Sequence, residues 1–301
     1  MAFKGRNAIS DLSNAVLNIV FFIYASICIL PFLLVLMISL TDEKALAENG
    51  YSFVPEKISF YAYQYVLNES TVLIRAYILT IIVTLVGTLL SLAIISLIAY
   101  PLSLKSFKYR NIFSFFIFFT MLFNGGLVPW YIVCVRLLGI KDTYFALIIP
   151  LLVSATYILM MRAYFATSIP DSVVEYSKIE GASDFRTFIS IIIPLSTPML
   201  ATIGLFTAIA YWNDWFNPLL LTTDPKYINL QYLLQKIQNE MDIYKRLQNA
   251  SGGATISMMA DMPSESSRMA LCLLTIGPII FAFPFVQKYF VQGLTIGSVK
   301  G

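Results

Sequence analysis

The sequence predicts an all-α integral membrane protein with six transmembrane helices. Three observations carry that expectation. Of 301 residues, 58% are hydrophobic and only 12% charged, whereas a soluble domain carries about 25% charged residues. Mean hydropathy is +0.76. Six apolar stretches reach the length of about 20 residues that a helix needs to cross a hydrocarbon core of about 30 Å. None of them shows the alternation of apolar and polar residues that barrel strands require.

Taken in order, the chain opens with Lys4 and Arg6 ahead of an apolar run, as a signal peptide would. The run is too long and lacks a small-residue cleavage site, so it reads as an uncleaved first span, 14–40. Residues 41–75 follow as a polar outer loop holding Asp42, Glu43, Glu48, Glu56 and Glu69. Residues 1–75 thus form an N-terminal part, 76–293 a core with five spans, and 294–301 a tail. Span two, 76–104, ends in a short basic loop with Lys105, Lys108 and Arg110. Span three, 112–135, contains Asn124-Gly125-Gly126, which permits either close helix approach or a local break lining a cavity. Span four covers 144–166, span five 191–221 and span six 269–291. Pro31, Pro198, Pro278 and Pro284 fall inside spans and predict kinks rather than ends, since neighbouring helices can satisfy the freed carbonyls.

Basic residues in short loops mark the cytoplasmic side. Lys4, Arg6 and the Lys105/Lys108/Arg110 cluster place the N-terminus there, and six spans return the C-terminus to the same side. The longer segments, 41–75 and 222–268, then lie outside. The polar segment 168–190, between spans four and five, faces the cytoplasm.

That segment has its own local logic. Pro170 and Asp171 suit a first helical turn, and Ser172-Val-Val-Glu175 fits a capping box. Gly181 supplies a left-handed residue to end the helix. Phe185, Phe188, Ile189 and Ile192 then recur at helical spacing. By these residues alone the segment is two amphipathic turns at the membrane surface, with Glu175 a cap and Gly181 a turn.

The spacing says more. Glu175-Tyr176-Ser177, three residues, Gly181, nine residues, Ile191-x-Ile193-Pro194 resembles the cytoplasmic signature of permease subunits of bacterial ATP-binding-cassette importers. In that family the pattern is Glu-Ala-Ala, three residues, Gly, nine residues, Ile-x-Leu-Pro; here Tyr176 and Ser177 stand for the alanines and Ile193 for the leucine. The run "IIIPLSTPMLATIGLFTAIAYWNDWFNPLLL" is similar to the carbohydrate-uptake branch. "NGGLVPWYIVCVRLLGIKDTYFALIIP" and "GLTIGSVKG" are similar to its complex oligosaccharide and polysaccharide sub-branch. The resemblance implies the type I importer permease fold of the maltose type, with a cytoplasmic coupling helix between spans four and five. It makes Glu175, Tyr176, Ser177, Gly181, Ala182, Ile191 and Pro194 the residues that dock an ATPase. It further implies a sister permease, as a heterodimer, two ATP-binding-cassette ATPase subunits that bind the ATP and Mg, and an extracellular solute-binding protein. The place is the bacterial cytoplasmic membrane, in contact with lipid, and no cofactor belongs to this chain.

Candidate substrate contacts lie in Tyr211-Trp212-Asn213-Asp214-Trp215. Aromatic faces, amides and carboxylates are the groups that hold sugars, and these five sit within about a turn and a half of helix. Asp214 is the one acid inside a span, where burial costs about 3 kcal/mol or more. Two structural roles compete: an interfacial aromatic belt, and an Asp214 that is solvated or paired with another helix. Asn124 joins the candidate pathway. In the loop after span five, 227–247 reads as an amphipathic helix with Leu230, Leu233, Leu234, Ile237 and Met241 on one face. The flexible stretch beyond it, with Ser251, Gly252 and Gly253, is a candidate contact for the binding protein. A lid over the chain's own pathway is the other reading of this loop.

Several chemistries are excluded or weakened. There is no histidine, and Cys28, Cys134 and Cys272 are scattered among apolar residues, which is no zinc or redox pattern. No Gly-rich stretch ends in Gly-Lys-Ser/Thr, so the chain carries no Walker-type ATP site. A net charge of +3, dispersed, does not suggest nucleic acid. An ion-coupled secondary transporter needs intramembrane acids, histidines or arginines; with no histidine and Asp214 as the single candidate acid, that reading is weak. A membrane-embedded enzyme would need a catalytic constellation that these residues do not supply. A plain membrane anchor would leave the spacing at 175–194 unexplained.

Overall fold

The computed structural model describes residues 11–68, 70–250 and 265–296. Its regular structure is helical, and the described residues hold no strand beyond the isolated antiparallel bridge of Thr41 with Ile58. The chain forms two compact units, Met1–Ser70 with Ile237–Thr275, and Thr71–Lys236 with Ile276–Gly301.

The first unit begins with α1, Asp11–Ser39, a 29-residue helix whose surface stays apolar all round, from Leu12 through Phe22 to Leu33. That pattern suits lipid rather than a one-sided protein core. Asp42 caps the short α2, Glu43–Asn49, and Gly50 ends it at φ +72°. Backbone bonds from Asp42 to Lys57 and from Ser59 to Leu40 close this loop at its stem. α3, Tyr61–Asn68, is tied back through the Tyr63 and Ser39 hydroxyls, 2.9 Å apart. The carboxylate of Glu43 accepts the backbone N–H groups of Glu265 and Ser266. Those donors open the last helix and have no partner within it.

The second unit holds α4 and the three bent helix pairs. α4, Ser70–Ser103, runs unbroken through Pro101. α5, Arg110–Leu122, and α6, Leu127–Ile132 with a π-helical turn to Leu137, meet at 114°. Gly126, at φ +88°, turns the chain there, and its N–H bonds to the Asn124 side chain at 2.9 Å. α7, Phe145–Ile148 with a 3-10 turn through Pro150, meets α8, Ala155–Ser168, at 52°.

After the short α9, Asp171–Ile179, and α10, Asp184–Thr187, the chain passes through a π turn and α11, Ile193–Leu195, into α12, Thr197–Trp212. The two parts of that run, Asp184–Leu195 and Thr197–Trp212, are bent by 80°. Beyond lie α13, Phe216–Leu221, then α14, Leu230–Ala250, and α15, Glu265–Ile296. The main core joins α4, α8 and the segment leading into α12 through Ile95, Tyr100, Met161, Phe165, Phe188 and Ile203.

Two helices are long and apolar enough to cross a membrane alone, and three more spans form if each bent pair counts as one. Five predicted stretches thus coincide with these helices or bent pairs, three of them broken, and the sixth lies in α15, which is not among them. Pro198 corrects the expectation of a kink: it is the second residue of α12, so one helix ends just before it. A proline has no N–H for the carbonyl four residues back. Here that carbonyl, of Pro194, takes the Thr197 hydroxyl instead, at 2.8 Å. The capping box is corrected too. Helix α9 starts one residue before Ser172, with Pro170 in the capping position and no side-chain cap.

Candidate coupling segment and transport cleft

α9 ends in a Schellman turn. The Ala182 N–H bonds to the Ser177 carbonyl at 2.9 Å and the Gly181 N–H to the Lys178 carbonyl at 3.0 Å. Gly181 sits at φ +79°, where a Cβ costs roughly 1–2 kcal/mol. The turn lets α10 start at once, capped by the Ser183 hydroxyl. Ser177 is buried and bonds both to the Val174 carbonyl, at 2.8 Å, and to the fully buried Thr187 hydroxyl, at 2.9 Å. A serine has one proton, given to Val174, so Thr187 donates to Ser177. Lys105 forms an ion pair with Asp171, and Lys178 with Asp184 at 3.2 Å.

One side of α9 is thus fixed to the core, and the other side is bare. Tyr176 is 70% and Ile179 80% exposed, with Glu175 open beside them. Ala182 and Ile191 are half-buried and Pro194 is exposed. Glu175, Tyr176, Gly181 and Ala182 therefore lie on or beside one short helix–turn–helix, whereas Ile191 and Pro194 belong to the rising segment that supports it. Thr187 goes unremarked in the sequence, where Lys105 and Asp171 read as a topology marker and a first-turn residue rather than as a pair. A basic loop facing an acidic helix start is the signal that could have paired Lys105 with Asp171.

The five residues at 211–215 separate into two groups. Tyr211 and Trp212 are buried, and the Tyr211 hydroxyl donates to the Ile148 carbonyl at 2.8 Å. Asn213 and Trp215 are exposed. Asp214 is half-buried and accepts from the Asn217 N–H at 3.1 Å and from its side-chain amide at 2.9 Å, which starts α13. Asn124 is brought not to Tyr211 but to Asn217: both line a cleft of about 290 Å3 with Trp130, Pro150 and Phe216. Trp130, Phe216 and Asn217 went unremarked in the sequence, although Asn217 follows Trp215 by two residues. Ser251, Gly252 and Gly253 lie outside the described residues.

A clasp lies near this cleft in sequence. Asp142 adopts φ +54°, and its carboxylate accepts the Thr223 N–H at 2.5 Å, the Thr223 hydroxyl at 2.7 Å and the Asp224 N–H at 2.9 Å. These donors, the Thr223 N–H first, hold its pKa below the ordinary aspartate value.

Broken apolar helices, a largely apolar cleft that carries two amides, and a bare helix–turn–helix on a short loop are features that fit a membrane transport subunit. The chain belongs to the family described as binding-protein-dependent transport system inner membrane component, whose model matches residues 91–296. It is 36% identical over 276 residues to Protein LplC of Bacillus subtilis, covering 92% of this chain and 90% of that one. Over 278 residues it is 33% identical to the polygalacturonan/rhamnogalacturonan transport system permease protein YtcP of the same organism, covering 92% and 94%. It is also similar to a chain in the crystal structure of a bacterial ABC transporter involved in the import of the acidic polysaccharide alginate. There the TM-score is 0.80 and the identity 32%, with 96% of this chain and 100% of that chain covered. The chain is accordingly a permease subunit of an ABC importer, with the all-α type I permease fold.

Proposed function

We propose that this chain is one half of the membrane pathway of an ATP-driven oligosaccharide importer. It pairs with a related, non-identical permease and with two ATPase subunits, which bind and hydrolyse ATP with Mg. Sugar arrives from an extracellular solute-binding protein, and both termini of the chain face the cytoplasm. The observation that carries this reading is α9: tied to α10 by the buried Ser177–Thr187 bond and to the loop after α4 by the Lys105–Asp171 ion pair, yet presenting Tyr176 and Ile179 bare. An exposed apolar pair on a fixed polar helix calls for a protein partner. Carbohydrate as cargo is supported by what the relatives transport and by a cleft that combines two amides with the rings of Trp130 and Phe216.

The test is ATP hydrolysis by the assembly that co-purifies with the tagged chain in mild detergent. Wild type should bring down an active ATPase and take up oligosaccharide in vesicles. Gly181→Pro should insert normally and lose uptake. Proline cannot adopt φ +79°, and it removes the donor to Lys178. A wild-type chain with no ATPase partner, or normal uptake by Gly181→Pro, rejects the reading.

A further inference from the structure

At the end of α4 away from the coupling segment, Ile74, Ile78 and Ile82 are all about half exposed. Spaced by four, they form one line along the helix. That line is the wall of a groove of about 720 Å3 whose rim carries Arg75, Tyr144, Asp224 and Lys226. Arg75 lies inside the apolar span Thr71–Ser103, is exposed, and has no carboxylate partner among the described residues. Lys226 has none there either. Its ammonium rests 5.7 Å from the Tyr144 ring and 5.4 Å from the Tyr227 ring. Those two rings meet edge to face at 5.0 Å, so the ammonium is braced rather than free-swinging. Asp224 is occupied with its own turn, accepting the Lys226 N–H at 2.8 Å. The Asp142 clasp fixes the loop that carries Lys226.

We propose that this groove is a binding site for an anionic phospholipid. Its phosphate is held between Arg75 and Lys226, and an acyl chain lies along the isoleucine line. Charge and polarity decide the ligand class together. An exposed guanidinium in the first turns of a span lies at headgroup depth, and its planar fork matches two phosphate oxygens. A zwitterionic lipid also carries a phosphate, but its own ammonium would lie beside Arg75 and Lys226 and offset the gain, so an anionic headgroup is favoured by its net charge. A sugar would bring hydroxyls against three isoleucines that can bond none of them, and a buried hydroxyl without a partner is costly. The acyl chain needs only the apolar wall.

The experiment uses the intact co-purified assembly in nanodiscs containing equal phosphatidylglycerol and phosphatidylcholine, with native mass spectrometry of the lipids that stay bound. Phosphatidylglycerol should be retained preferentially. Arg75→Gln and Lys226→Gln should each weaken that preference on the order of ten-fold, the scale of a lost charge-assisted bond. Arg75→Lys should keep part of it. Lys226→Gln, on an exposed turn, serves as the second variant should Arg75→Gln fail to fold. Ile78→Asn should weaken retention of either lipid at this site. Free glycerol phosphate and a uronic-acid oligosaccharide should not compete. Equal retention of the two lipids, or variants that match wild type, overturns the proposal. Arg75-dependent displacement by glycerol phosphate would make the groove a plain anion site, and displacement by the sugar a cargo mouth; either result also overturns it.

Discussion

Tyr211 is the residue on which the packing of the second unit turns. Its ring is buried with Leu79, Val83 and Leu147, and its hydroxyl is committed to Ile148. The ring fits only because α4 has a glycine opposite: a Cβ on Gly87 would stand 2.5 Å from its outermost ring carbon. Gly87→Ala is therefore expected to lower stability by about 1–3 kcal/mol, as overpacking does, read as thermal unfolding in detergent. Gly87→Ala combined with Tyr211→Leu should recover part of that loss, and an additive double variant would contradict the fit. At this scale the sequence located the aromatic and amide cluster at 211–215 but could not rank its members. Whether a tyrosine faces a cavity or fills a core depends on a glycine on another helix, and nothing local to Tyr211 signals it. Asn217 was passed over for the same reason.

Among elements, the Asp142 clasp joins the connection before α7 to the turn after α13, and its strength depends on charge. Because the folded pKa lies below the ordinary 3.8, the ionised carboxylate contributes stability that is fully present above that value. The contribution is lost as pH falls through the lower folded pKa. Amide exchange at Thr223 and Asp224 should accordingly quicken as pH drops below 3.8, relative to the intrinsic acid rate. Asp142→Asn should already exchange quickly at neutral pH and show no such step. An unchanged Asp142→Asn profile would mean that other contacts hold the turn. The elements themselves were legible through length and hydropathy: α1, α4 and the amphipathic α14 lie close to where their patterns predicted. The breaks were not. Asn124-Gly125-Gly126 is compatible with close packing or with a turn, and Pro198 with a kink or with a helix start. The choice depends on whether a neighbour supplies the missing bonds, as Thr197 does for Pro194.

For the whole molecule, the proposed coupling role means that α9 moves with the spans rather than bending away from them. Ser177 and Thr187 supply the joint, and Ser177 stands where the resembling family has alanine. Thr187→Val is expected to keep assembly and ATP hydrolysis while lowering sugar taken up per ATP by about 2- to 10-fold, the scale of one net hydrogen bond. Thr187→Ser should restore it, and if it does not, shape rather than the hydroxyl matters. The signature spacing at 175–194 was the most legible feature of the chain, since it needs only order along the sequence. The joint beneath it was hidden, because two small hydroxyl residues ten apart carry no pattern. The break at Asn124 has an electrical consequence as well. α5 has 13 residues, about 20 Å of the roughly 30 Å core. Water entering the cleft as far as Asn124 would leave that 20 Å to sustain the membrane voltage, steepening the field about one and a half times over the remaining path. A cargo bearing charge would then do its electrical work along α5 alone.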